Sequence, residues 1–218
     1  MSLQVQDLRI EYPGHLVFDD VNLDVEYNEI IAIFTRVLDG GTSLLRGIGG
    51  FLQGVDGHVR LEDKDLLNCS PATRADYVGY VYEERGLVSL YTVYQNITLP
   101  LKFHSEQSEQ EIHAKLHELC QALNLDEAVM GCRPHELNDV QTRLVNLARA
   151  LIVEPKLLLI DELEGGMSEE YLRDTMTILR QRQQQHPMAI IITTADDYVM
   201  NNADRVFSIA DHNLVLEH

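Results

Sequence analysis

Three unbroken apolar runs constrain this chain most: IIAIF (Ile30 to Phe34), LLLID (Leu157 to Asp161) and AIIIT (Ala189 to Thr193). A strand with one face in water alternates polar and apolar residues, whereas a parallel strand covered on both faces reads as a continuous apolar run. Helical patterns alternate with the runs, which predicts an α/β sheet joined by right-handed crossovers. The first sixty-five residues differ. LQVQDLRIEY, VNLDVEY and HVRLEDK alternate with a period of two, as half-buried strands do, and predict a mostly antiparallel flank. With 218 residues, 45% of them hydrophobic, the chain can bury one sizeable core, and nothing in its length calls for a second folding unit.

Two amphipathic helices can be read directly. Ser108 and Glu111 form a capping-box pattern ahead of Ile112, Leu116, Leu119 and Leu123, which fall on one helical face. Ser168 precedes a second stripe of Leu172, Met176 and Leu179. His113 and His117 share a face at i,i+4 spacing, but no third ligand accompanies them, and a solvated polar face is the simpler reading. Cys69, Cys120 and Cys132 are widely separated, which suits a reducing compartment and argues against a zinc site or a disulfide framework.

Thirty-five acidic residues against seventeen basic ones give a net charge of −18. That charge opposes nonspecific binding to nucleic acid or anionic lipid, so no nucleic-acid partner is expected and membrane contact should run through a protein. The apolar stretches are far shorter than the ~20 residues that span a bilayer. No charged-then-apolar leader opens the sequence, and a cytoplasmic location is expected. Residues 216–218, Leu-Glu-His, read as an expression-tag scar.

Chemistry concentrates at the ends of the apolar runs. Asp161 and Glu162 stand at the carboxyl end of LLLID, where one carboxylate can hold Mg²⁺ and its neighbour can polarise water. An acidic pair there is equally compatible with a plain strand end. After IIAIF the chain runs through FTRVLDGGTSLLRGIGG, a strand turning through a glycine pair into a helix of the kind whose first N–H groups cradle phosphate. Gly40 and Gly41 could also serve only to permit a tight connection.

Tyr12, the strand-loop-helix from Ile30 to Gly50, PHELNDVQTRLVNLARAL and LLLIDE occur in the order and spacing of ABC-transporter ATPase subunits, and the chain resembles that family over residues 1 to 215. The run VGYVYEERGLVSLYTVYQNITLPL is most similar to subunits serving lipid-trafficking, lipoprotein-release and related permeases. The resemblance implies a P-loop NTPase fold of ABC type, with a central, mainly parallel sheet, an antiparallel β flank and a helical subdomain. It divides the single domain into a core (1–84 and 154–215) and a helical subdomain (85–153).

It also implies roles, and many of its motifs are degenerate here. Tyr12 corresponds to the aromatic that stacks on adenine, Asp161 to the Mg²⁺ ligand and Glu162 to the catalytic base. In the phosphate loop G-x-x-x-x-G-K-[ST], Thr35 replaces the first glycine, Gly40 retains the second and Gly41 replaces the lysine. Thr42 keeps the hydroxyl expected on Mg²⁺, and Ser43 follows. Arg36 could substitute for the missing cation only by folding back from its place early in the loop, and Asp39 adds a carboxylate. Glu83 stands where a glutamine contacts metal and water. The signature L-S-G-G-Q becomes Leu137-Asn138-Asp139-Val140-Gln141, the S-A-L-D loop becomes Gly165-Gly166-Met167-Ser168, and Ala195 replaces the switch histidine. What the resemblance implies is thus a homologue of the ATP-binding subunit that docks a membrane permease, with weak or absent binding of ATP and Mg²⁺. It would lie on the cytoplasmic face and pair with a second, intact ABC ATPase subunit. The alternative is an active ATPase powering transport through an atypical phosphate loop.

Overall fold

The computed structural model describes residues 3–83, 86–104 and 107–217, with the side chains of 103 and 104 left aside. Two sheets organise it. The first is antiparallel, in the order β2-β1-β4-β5, from β1 (Leu3–Tyr12), β2 (His15–Val25), β4 (Val55–Leu61) and β5 (Lys64–Asp65). The second has the order β10-β9-β3-β8-β7-β6. In it β9 (Arg205–Ala210), β3 (Ile30–Phe34), β8 (Ala189–Thr194), β7 (Leu157–Asp161) and β6 (Val78–Val81) run parallel, and β10 (Asn213–Leu216) closes one edge antiparallel. The three apolar runs are therefore neighbours at the sheet's centre.

Coverage on both faces explains their continuity. Ile31, Ile33, Leu157, Leu159 and Ile191 point into one apolar cluster with the antiparallel sheet and α1 (Gly41–Ile48), while Ile30, Leu158, Ile160, Ile190 and Ile192 point into another with the helical layer. That layer comprises α3 (Val93–His104), α4 (Glu109–Ala122), α5 (Asp139–Leu151) and α6 (Glu169–Gln185), the first three lying between β6 and β7 as the insertion predicts; α2 (Pro71–Tyr77) and α7 (Asp197–Asn201) complete the set. The insertion's expected boundary at residues 84 and 85 lies outside the described residues.

Both helix readings hold at residue level. Ser108 and Glu111 form the reciprocal capping box of α4, and Ile112, Leu116, Leu119 and Leu123 are buried. Ser168 caps α6, whose Leu172, Met176 and Leu179 are buried. His117 is engaged by Glu127 and by Gln121, the latter at 3.0 Å, while the His113 ring lies 6.1 Å from that of Tyr94. Leu216 and Glu217, which the sequence reading sets aside as a tag scar, continue the edge strand: Leu216 pairs with Phe207, and the Glu217 N–H donates to the Val206 carbonyl at 2.8 Å. His218 lies outside the described residues. Among the described residues, no helix is long and apolar enough to cross a membrane.

Candidate functional site

The site forms where β3, β7 and β8 end together, because parallel strands in register deliver their carboxyl ends to one edge. Beyond β3 the chain makes a tight turn. The Arg36 N–H donates to the Asp39 carboxylate at 2.8 Å, and the Asp39 N–H donates to the Arg36 carbonyl at 3.1 Å. The turn places Leu38 in the left-handed region at φ 72° and leaves Val37 and Leu38 at its tip, 90% and 98% exposed. Gly40 follows at φ 89° as the N-cap of α1, and a Cβ there would lie 2.6 Å from the Val17 side chain, so only glycine fits. No side chain caps α1 and its first turn holds no acidic residue, so the partial positive charge of its N–H groups is not offset from within the helix.

Gly41 is buried, and a Cβ on it would lie 2.6 Å from the Thr35 methyl and 3.1 Å from that of Thr193. The loop's own cation, Arg36, rests its guanidinium over the Phe34 ring at 5.3 Å.

Asp161 is the hub, only 3% exposed. Three hydroxyls donate to its carboxylate: Thr42 at 3.2 Å and Thr193 at 3.0 Å on one oxygen, Tyr80 at 3.2 Å on the other. Burial, with the nearby Asp161 charge second, pushes the Tyr80 phenol's pKa up and keeps it a donor. Thr42 and Asp161 are oxygen donors of the kind a hard cation takes. Glu162 follows at φ 51°, its N–H shared between the Thr193 carbonyl at 3.1 Å and the Thr193 hydroxyl at 3.2 Å. Burial raises the Glu162 pKa, Glu83, Glu164 and Asp161 raise it further, and Arg143 opposes them.

Arg143 is a buried cation among these carboxylates. Its guanidinium donates to the Tyr82 carbonyl at 3.0 Å and to the Asp161 carbonyl at 3.3 Å, tying the ends of β6 and β7 to α5. Desolvation pulls its pKa down, while Glu164, Glu83, Glu162 and Asp161 hold it up. Glu164 accepts the Ala195 N–H at 2.7 Å, so the main chain just beyond β8 is held by a carboxylate.

A cavity of about 400 Å³ gathers Tyr12, Gly40, Gly41, Thr42, Ser43, Glu83, Asp161 and Glu162. The Tyr12 hydroxyl reaches the Ser43 hydroxyl at 3.1 Å, across the start of α1. Asn138 and Gln141 are not part of this lining. Their side chains cap α5 reciprocally: Asn138 accepts from the Gln141 N–H at 2.8 Å, and Gln141 accepts from the Asn138 N–H at 3.0 Å. Asp139, in the first turn of α5, borders a neighbouring cavity of about 440 Å³ with Glu83, Arg143 and Glu162. Sequence reasoning did not single out Thr193, Tyr80 or Arg143. The register of β7 and β8 sets Thr193 beside Asp161, a pairing that only the sheet order reveals.

A family model described as ABC transporter matches residues 18–164. The chain belongs to this family. It is 31% identical over 221 residues to the sulfate/thiosulfate import ATP-binding protein CysA of Burkholderia mallei, a match covering all of this chain and 60% of that protein. The protein of the same name from Bacillus cereus is 29% identical over 210 residues, covering 94% of this chain and 58% of that one. The chain thus spans about 60% of the length of the curated relatives it matches. Among solved structures, the dimeric bacterial ABC transporter cassette MJ0796 superposes with a TM-score of 0.89 at 22% identity, covering 97% of this chain and 96% of that one. The cbiO1 protein of Clostridium perfringens, part of the transporter complex cbiONQ, gives 0.83 at 24% identity over 98% and 86% of the two chains. The fold is that of an ABC cassette.

Proposed function

We propose that this chain is the cassette subunit of an ABC importer, that it docks a membrane permease, and that it binds and hydrolyses ATP poorly or not at all. The observation that carries the reading is the charge at the phosphate loop. Gly41 offers no ammonium where the β- and γ-phosphates would need one, and Asp39 stands in the turn ahead of it, with Glu83 lining the same cavity as Gly41. A missing charge-assisted hydrogen bond weakens binding by about 1.5–3 kcal/mol. Asp139 at the start of α5 and Ala195 in place of an imidazole extend the deficit. The importer assignment rests on likeness to the sulfate/thiosulfate import proteins, in preference to the lipid- and lipoprotein-handling systems that the run from Val78 to Leu101 suggests.

Permease docking is supported by the loop ahead of α3. Asn96 is fully buried and holds that loop with four hydrogen bonds: its amide nitrogen donates to the Val88, Tyr91 and Thr92 carbonyls, and its oxygen accepts the Val88 N–H. Val88, Leu90 and Tyr91 are thereby presented as exposed apolar side chains, while Leu87 packs against the core. A peripheral position on the cytoplasmic face, through the permease and beside a second, intact ATPase subunit, completes the reading.

One observation favours an active ATPase instead: the Thr42 hydroxyl and the Asp161 carboxylate are 3.2 Å apart, positioned to share a cation, with Glu162 next in sequence to activate water. Isothermal titration with MgATP at physiological salt, alongside phosphate release with Glu162→Gln as control, separates the two. We expect dissociation constants weaker than the micromolar range and no release above the control. Micromolar affinity with Glu162-dependent release establishes the active enzyme.

A further inference from the structure

We infer that Thr35 and Asp39 are the specificity-determining residues of the loop: the Thr35 methyl fills the space a lysine side chain at position 41 must enter, and the Asp39 carboxylate occupies an N–H of the loop, so that each separately weakens the grip on polyphosphate. This rests on the reading that nucleotide binding is impaired, and it assigns the cause to groups that are present as well as to a lysine that is missing. The steric half follows from Thr35 itself. It is 6% exposed, its N–H is fixed to the Thr194 carbonyl at 3.0 Å, and its β-branched side chain has little rotamer freedom. A Cβ at position 41 would meet its methyl at 2.6 Å, with the Thr193 methyl closing the other side at 3.1 Å. Gly41 and Thr35 are thus mutually fitted, and restoring the lysine alone forces a buried, stiff neighbour to move.

The electrostatic half follows from the turn. Loop N–H groups that converge on an anion hold phosphate in glycine-rich loops. Here the Arg36 N–H already donates to an anion of the same chain, the Asp39 carboxylate at 2.8 Å, and that bond closes the turn that holds Leu38 in the left-handed region. A phosphate oxygen must therefore displace a carboxylate and then sit beside its charge. The Tyr12–Ser43 hydrogen bond engages a further hydroxyl at the start of α1.

The test titrates inorganic tripolyphosphate and MgATP, at fixed ionic strength, into the wild-type chain, Gly41→Lys, Thr35→Gly/Gly41→Lys and Thr35→Gly/Asp39→Ala/Gly41→Lys. Gly41→Lys should bind no tighter than wild type and melt at a lower temperature. The double variant should bind at least about tenfold tighter than Gly41→Lys, and the triple variant several-fold tighter again. Gly41→Lys binding as tightly as the double variant overturns the steric half, and a triple variant no tighter than the double overturns the electrostatic half. Should a position-41 variant fail to fold, Asp39→Ala alone decides: tripolyphosphate should shift the Arg36 amide resonance in that variant and leave it unmoved in wild type, and equal responses overturn the inference. Micromolar MgATP binding by the wild-type chain would instead overturn the underlying functional reading.

Discussion

At the residue scale, Glu162 shows how the site balances charge. Its backbone is held at φ 51° by two bonds to Thr193, and its carboxylate lies among Glu83, Glu164 and Asp161 with Arg143 as the opposing cation. A carboxylate whose pKa is raised in the folded state binds its proton more readily there than in the unfolded chain. The ionised side chain therefore costs stability, and the cost develops as pH rises from the ordinary glutamate value through the raised one; below the ordinary value it vanishes. Glu162→Gln should accordingly stabilise the fold at pH 8 and lose most of that advantage by about pH 4, below the ordinary glutamate value, where wild-type Glu162 is mostly protonated in both states. Solvent screening of this partly exposed group keeps the effect below about 1 kcal/mol. Thermal melts of both proteins at the two pH values check the sign, and an advantage larger at pH 4 than at pH 8 would refute it.

At the scale of elements, burial on two faces and reciprocal caps made much of the chain legible. IIAIF, LLLID and AIIIT are the central strands because a covered face takes a polar side chain only where it is hydrogen-bonded, as Asp161 and Thr193 are at the strand ends, and Ser108 and Ser168 start their helices because an N-terminal N–H needs an acceptor. The first half of β2 was harder to see, since HLVFDD ends in two acidic residues and Asp20 sits at φ 56°, breaking the alternation. β6 is only four residues long and is recognisable as a strand chiefly by its pairing with β7. The site divides in the same way: Asp161, Glu162, Thr42 and the glycine pair are consecutive in motifs, whereas Tyr80, Arg143 and Thr193 reach Asp161 from three other elements and carry no spacing signal. The loop from Val88 to Thr92 leans on one side chain in α3, so Asn96→Ala should take the acceptor from the Val88 N–H and the donor from the Tyr91 carbonyl, while the Val88 and Thr92 carbonyls keep the Tyr91 and Asn96 N–H groups, and should cost about 1–2 kcal/mol in chemical denaturation. A loss under about 0.5 kcal/mol would mean that the loop is held by other contacts.

For the whole molecule, the question is whether nucleotide can bring two copies together. The family resemblance places nucleotide between the phosphate loop of one subunit and the signature of the other, so a homodimer would build each composite site from Gly41 and Asp39 on one chain and Asp139 and Val140 on its partner. Asn138 and Gln141 are already spent on capping α5, and Asp139 offsets the positive end of that helix, so little is left to grip a γ-phosphate from across an interface. Each copy carries a net charge of −18, and physiological salt screens that repulsion only beyond about 8 Å, outside the range at which facing carboxylates would meet. A ligand with no greater affinity for the closed pair than for the open chain cannot shift the equilibrium between them. An intact partner changes the balance, because it lends a lysine-bearing loop to one site and an unmodified signature to the other. Light scattering on the Glu162→Gln protein, in which turnover is blocked, should therefore give the same mass with and without MgATP. A nucleotide-dependent shift from monomer to dimer would show that the altered loop and signature still close on ATP, and would favour the active-ATPase reading.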